Sequence, residues 1–245
     1  MTGEQKTAIA SFLDLAADHL AGGYARPREP YRFSDDAETA PEAGRGPASG
    51  RGDSLESLAA DIRACRSCDL CLGRANAVPG EGAAAPLVLV IGEGPGAEED
   101  AGGRPFVGKA GQLLDKMLAS IGLSRERNCF IANVVKCRPP ENRDPLPAEA
   151  EACAPFLARQ IRLLKPRLIL CMGRVAANRL LGLREPEAIT RLRGHFYDYP
   201  LSPDLSIPLL ASYHPSALLR NEDLKRPAWE DLKKLRAFLA EAGGI

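Results

Sequence analysis

Four short, almost uninterrupted apolar runs constrain this chain most: LVLVIG (87–92), CFIANVV (129–135), RLILCMG (167–173) and IPLLASY (207–213). A strand that is apolar at every position has no side for solvent, so such runs belong in a sheet covered on both faces. Helical periodicity fills the gaps at 109–121, at 147–164 with Pro155 interrupting or kinking it, at 174–182, and at 223–242, which carries Trp229. Leu55, Leu58 and Ile62 mark a short helix ahead of the first run. Strands separated by helices imply right-handed crossovers. The fold class is therefore α/β, with a central four-stranded, mostly parallel sheet. Ligands of such sheets bind beyond the carboxyl ends of the strands. Here those ends carry Glu93, Asn133, Gly173 and His214.

The patterned domain spans 55–245. Ahead of it, residues 4–21 read as a helix, with Ile9, Phe12, Leu13, Ala16 and Leu20 at helical spacing. Residues 22–54 contain no Leu, Ile, Val or Met and are rich in Gly and Pro. Such a segment buries too little apolar surface to offset its ordering entropy. The organisation is thus a helical appendage (1–21), a flexible linker (22–54) and the main domain. The appendage is either tethered, as a docking element for a protein partner, or packed on the main domain.

The longest strongly apolar stretch, Leu87 to Gly92, is far short of the ~20 residues of a membrane helix. The N-terminus lacks a basic region followed by an apolar core, so it is not a secretory signal. Acidic and basic residues balance at 32 each. The balance conceals six basic against ten acidic residues in 1–57, a charge of −4 that leaves +4 on the rest. No basic footprint announces nucleic acid, although net charge can hide a patch.

Three of the seven cysteines (65, 68, 71, 129, 137, 153 and 171) fall within seven residues. Extracellular bridge frameworks do not look like this, and a metal site in a reducing cytoplasm is the better reading. Cys65 and Cys68 form a C-x2-C pair, and Cys137 and Cys153 follow in a second segment. Four thiolates from two segments suit zinc or a [4Fe-4S] cluster, and spacing does not separate the two. Cys129 and Cys171 lie inside apolar strands and read as core residues. Cys71 either replaces Cys68 or is a bystander; the tighter 65/68 chelate favours the bystander.

GEGPGAEED (92–100) follows a strand but lacks the P-loop Lys and the GxGxxG pattern, so it is no phosphate cradle. It reads as a tight strand-to-loop turn with an acidic edge. The segments GEGPGAEEDAGGRPFVGKAGQLLDKML (92–118), NVVKCRPPENRDP (133–145), CMGRVAANRLL (171–181) and SYHPSALLR (212–220) occur in that order. Together with the CRSC pair they resemble family 4 uracil-DNA glycosylases, the iron–sulfur branch of that superfamily, over about residues 60–240.

The resemblance implies a three-layer α/β/α sandwich and a [4Fe-4S] cluster on Cys65, Cys68, Cys137 and Cys153. It implies uracil-containing DNA, single- or double-stranded, as substrate, with no membrane association and a monomeric enzyme. By motif position, Glu93 stands beside the reacting sugar and the attacking water, and Gly94 lies in the same substrate-binding loop. Phe106 stacks on the extruded base, Asn133 reads its Watson–Crick edge, and His214 contacts the pyrimidine O2. Glu99 crowds C5 and rejects thymine. Ser216, Ala217, Leu218, Leu219 and Arg220 approach the DNA backbone and the gap left by the base. Family 1 enzymes carry a water-activating Asp where this chain has Gly94, so Glu93 takes that part. The loop KCRPPENRDPLPAEAEAC (136–153) has no His of the kind a related branch uses to crosslink DNA, so ordinary turnover is expected. No lysine in these motifs is placed as a Schiff-base nucleophile, which implies an abasic site without strand cleavage. Lys136, Arg138, Arg143, Arg220, Lys225 and Arg226 flank the motifs as candidate phosphate contacts.

Overall fold

The computed structural model describes residues 53–241 and 243. The helix expected over 4–21 and all but the last two residues of the expected linker lie outside the described residues. The described chain begins with α1 (Leu55–Ala64), capped by a reciprocal Ser54–Ser57 box, and the short α2 (Leu70–Gly73). Then follow β1 (Glu81–Gly82), β2 (Val88–Gly92), α3 (Ala97–Gly102), α4 (Lys109–Ala119) and β3 (Cys129–Asn133). Next come α5 (Pro147–Leu164), β4 (Leu168–Met172), α6 (Arg174–Leu181) and α7 (Ile189–Leu192). The chain closes with β5 (Phe196–Ser202), β6 (Leu205–Ser212), α8 (Pro215–Arg220) and α9 (Lys225–Glu241).

Among the described residues the sheet has six strands in the order β1-β3-β2-β4-β6-β5, not the four expected. The four predicted strands form its parallel centre, and β1 and β5 add antiparallel edges. Both edges escaped the apolar criterion for physical reasons. β1 is two residues long, and β5 alternates exposed and half-buried positions, as an edge strand with one wet face does. Its inward residues Tyr197, Tyr199 and Leu201 pack on the core. That alternation in FYDYPLS was the available signal.

The central strands alternate between two apolar layers. Leu89, Ile91, Ala132, Ile169, Cys171 and Leu209 face one way, toward Leu157 and Ile161 of α5 and Ala177 of α6. Val88, Val90, Ile131, Leu170 and Leu210 face the other, toward Leu114 and Leu118 of α4 and Leu235 of α9. Cys129 and Cys171 are fully buried. Helix α5 continues through Pro155, so of the interruption or kink expected there the interruption does not occur.

Parallel register brings the strand ends level. Gly92 pairs with Asn133, and Met172 pairs with Ser212. Backbone bonds Val135 N–H to Glu93 O (3.1 Å) and Gly173 N–H to Ser212 O (2.8 Å) carry the alignment past the last ladder rungs. Glu93, Asn133, Gly173 and His214 therefore share one edge of the sheet.

Candidate active site

A cleft of about 490 Å³ opens over that edge, within the range that holds a small ligand. Its walls include Glu93, Glu99, Phe106, Asn133, His214 and Arg220, so four strand ends and two loops converge as the sequence implied. Gly94, Ser216 and Ala217 line it too.

Asn133 is 1% exposed, and its Oδ1 is a buried acceptor with no hydrogen-bond partner among the described residues. An unmet buried acceptor costs about 1–3 kcal/mol, so a native site that keeps one is waiting for a donor. The Phe106 ring is its neighbour: a Cβ on Gly92 would lie 2.5 Å from both Asn133 Oδ1 and Phe106 Cζ. Only a glycine at 92 leaves room for the two side chains to stand together.

Phe106 holds a left-handed backbone, φ 52°, which is uncommon for an aromatic residue. Two clamps over-determine it. Arg125, buried and ion-paired with Glu81 and Asp115, donates to Pro105 O (3.0 Å) and Phe106 O (2.9 Å). Glu99 accepts from the N–H groups of Val107 (2.8 Å) and Gly108 (2.9 Å) through Oε1 and of Gly96 (3.0 Å) through Oε2. The acidic edge expected as a loop is thus helix α3, and Glu99 ties its start to the Phe106 loop. Sequence reasoning missed Arg125, which lies outside every motif.

His214 faces Phe106, with ring centroids 5.5 Å apart and planes tilted by 34°. Its Nδ1 accepts the Ser216 backbone N–H (3.2 Å) at the start of α8 and lies 2.8 Å from Ser216 Oγ. Burial, helped by Arg220, pushes the imidazole down to about 4. The ring is therefore neutral, and with Nδ1 accepting, Nε2 carries the proton.

Glu93 is half-buried. Burial first, then the Asp144 carboxylate, lift its carboxyl to about 7, and Arg174 opposes them. Asp144 and Arg174, which form an ion pair, were not singled out from sequence.

Other residues depart from expectation. Leu218 is 2% exposed and packs with Tyr213 and Ala228, so it is core, whereas Leu219 and Arg220 are exposed. Lys136 is fully buried and cannot reach a phosphate. Arg143 pairs with Glu149, and Lys225 with Glu222. Arg226 is exposed, whereas Arg138 is half-buried and its Nε donates to Asn142 Oδ1 (2.8 Å).

Away from the cleft, Cys65, Cys68, Cys71, Cys137 and Cys153 line one small cavity between α1, α2, the loop after β3, and α5. All are free thiols. Among the described residues, no three Cys, His, Asp or Glu side chains are grouped to hold one metal ion. A multi-atom cluster needs ligands set wider than a single ion does, and thiolates around a cavity fit it. Arg74 Nη1 donates to Cys137 Sγ (2.8 Å), and the backbone N–H groups of Ser67 (3.4 Å) and Lys136 (3.3 Å) point to Cys65 and Cys153 Sγ. These donors suit anionic sulfur. Cys71, read as a bystander, shares the cavity, so proximity does not single out four ligands.

No helix among the described residues is long and apolar enough to cross a membrane. Comparison with known proteins agrees with this geometry. The profile of the Uracil DNA glycosylase superfamily matches residues 79–233. A Type-4 uracil-DNA glycosylase of Archaeoglobus fulgidus is 43% identical over 185 residues, 75% of this chain and 92% of its own. Those of Saccharolobus solfataricus (42%, 77% of this chain and 88% of theirs) and Thermotoga maritima (41%, 77% and 96%) are similar over the same domain. On this evidence the chain belongs to the uracil-DNA glycosylase superfamily, in its type-4 branch.

Proposed function

We propose that the protein excises uracil from DNA as a monofunctional glycosylase in base excision repair, releasing free uracil and leaving an abasic site in an uncut strand. The observation that carries this reading is the buried, unpartnered Asn133 Oδ1 beside the Phe106 ring. Uracil presents an N3–H donor to that acceptor and an O4 acceptor to the amide nitrogen. Cytosine reverses both groups and would leave buried polar atoms unpaired, a mismatch that hydrogen-bonding sites reject strongly.

A base inside a duplex is out of reach, so the nucleotide must turn out at a cost of a few kcal/mol. Stacking on Phe106 returns about 1–3 kcal/mol. As the C1′–N1 bond breaks, its electron pair goes to the base and the sugar becomes cationic. The neutral His214 donates through Nε2 to O2, where the negative charge gathers, without first needing a proton. The Glu93 carboxylate stabilises the cation and orients a water. The water oxygen bonds C1′ while its proton passes to Glu93. No lysine lines the cleft among the described residues, which supports hydrolysis over Schiff-base chemistry.

Cys65, Cys68, Cys137 and Cys153 are the proposed ligands of a [4Fe-4S] cluster. When bound, it supplies a structural cross-link, tying the start of the domain to the loop after β3 and to α5. None of the proposed site residues falls within 1–53, and deletion of that stretch is proposed to leave excision largely intact.

A duplex with one U·G pair, incubated with the protein and then with alkali, tests the function. Cleavage only after alkali is the expected result. Cleavage without alkali would exclude the monofunctional assignment, and no cleavage at all would exclude uracil excision.

A further inference from the structure

Two residues before Phe106, Arg104 lines a second groove, of about 610 Å³. Two residues span at most about 7 Å, so this groove begins beside the cleft. Helix α3 joins the two as well. Gly96 and Glu99 at its start line the cleft, and Gly102 and Gly103 at its end line the groove. Its six residues cover about 9 Å. Four arginines wall the groove, Arg63, Arg66, Arg74 and Arg104, and no Asp or Glu among the described residues does. Arg74 is committed within the protein: Nη1 donates to Cys137 Sγ (2.8 Å), and Nη2 donates to Arg63 O (2.9 Å) and Cys65 O (2.9 Å). Arg104 pairs with Glu81 (2.7 Å) yet is 62% exposed. Arg63 and Arg66 are exposed, and their guanidinium groups have no hydrogen-bond or ion-pair partner among the described residues. The C-terminal turn of α1 favours a cation at Arg63 through the helix dipole, but Arg66 lies past that helix. The wall is tied to α3: buried Asp100 accepts from the backbone N–H groups of Ala75 (2.9 Å) and Asn76 (3.2 Å).

We propose that this groove holds the phosphate backbone of the DNA a few nucleotides from the extruded base, with Arg63 and Arg66 each neutralising one phosphate. The inference rests on the reading that DNA is the substrate. A DNA strand carries a phosphate every ~3.4 Å of helix axis, so a strand leaving the cleft meets the groove within a few nucleotides. Guanidinium forks match phosphate oxygens in bidentate geometry. Such contacts fix the strand in place without reading its sequence. Lys136, Arg143 and Lys225 are buried or paired, so Arg63 and Arg66 supply cations that the motif segments do not.

The test measures binding of the full-length protein, across a salt series, to a long duplex bearing a reduced abasic site and to a trinucleotide with a central non-cleavable 2′-fluoro-deoxyuridine. The double variant Arg63→Gln, Arg66→Gln is expected to lower the slope of log K against log salt on the duplex by about 2, near 0.9 for each phosphate. Its affinity for the trinucleotide, which fills only the cleft, is expected to equal that of wild type. Single-turnover uracil release at saturating duplex should also match wild type, because neither arginine lines the cleft. The control pair Arg162→Gln, Arg236→Gln removes the same charge from exposed positions on α5 and α9 outside both grooves, and its slope should be unchanged. A duplex slope in the double variant equal to wild type would overturn the proposal. So would an equal loss on the trinucleotide or in the control pair. Absence of uracil release by wild type, with the duplex slope reduced as stated in the double variant, would count for the groove and against the glycosylase reading.

Discussion

The Nζ of Lys136 lies 2.8 Å from the carbonyl oxygen of Asn133, three residues back along the chain. Its second partner is Gln160 Oε1 (2.6 Å), and Gln160 Nε2 in turn donates to Pro79 O (2.6 Å). A buried ammonium thus pins the backbone of the base-reading residue to helix α5, which also carries Cys153. Lys136→Met keeps the volume but leaves Asn133 O and Gln160 Oε1 unpaired. We expect a loss of about 1–3 kcal/mol in denaturant unfolding. Excision should fall more than binding to uracil-containing DNA, because the amide of Asn133 loses its register.

Asn133→Asp removes the donor that meets O4 and sets an acceptor against it. Uracil excision should drop ~10–100-fold or more, the cost of one unmet buried hydrogen bond. Trace release of cytosine, whose N4 is a donor, is the accompanying expectation. Single-turnover rates on U·G and C·G duplexes decide it, and wild-type uracil release would remove Asn133 from base reading.

Phe106→Ala deletes the stacking ring together with its buried packing and its contact with His214, and should cost at least about 1–3 kcal/mol of transition-state stabilisation. Gly92→Ala is the stricter change, since its methyl would sit 2.5 Å from both Phe106 Cζ and Asn133 Oδ1. Its excision rate should fall at least as far as that of Phe106→Ala, with binding to abasic DNA retained. A Gly92→Ala protein as fast as wild type would show that the cleft does not close on a base at that point.

The rate should rise with pH through a midpoint near 7. Glu93, lifted to about 7 by burial and Asp144, works only as carboxylate, so protonation below that point removes the group that holds the cation. His214, held down to about 4, stays neutral across the same range and adds no limb of its own. Nitrogen NMR of the ring should show one Nε2–H tautomer from pH 5.5 to 8. An imidazolium signal in that window would contradict the assignment.

Purified protein should carry about four irons per chain and absorb broadly near ~400 nm. Cys65→Ala and Cys137→Ala should lose iron and soluble yield, because ligand binding and folding are coupled. Cys71→Ala should keep its iron. Loss of iron in Cys71→Ala with retention in Cys68→Ala would exchange the two in the ligand set.

The parallel centre of the sheet and the edge that carries the site were legible in the amino-acid pattern alone. Apolar runs of six or seven residues have one way to be buried on both faces; Glu93 and His214 directly follow two of them, and Asn133 lies within a third. Local patterns failed where a residue's role depends on partners distant in the chain. β5 is half wet, so it lacks the continuous apolar signature. Lys136 reads as a surface cation until Gln160, 24 residues on, is seen to receive it. Leu218 and Leu219 are identical in sequence, and only the packing of α8 against Tyr213 and Ala228 buries one and exposes the other. Arg125 belongs to no motif, yet its fork on Pro105 and Phe106 holds the stacking ring. Tertiary structure decided these assignments because burial and hydrogen-bond satisfaction are properties of converging segments, and no window along one segment contains them.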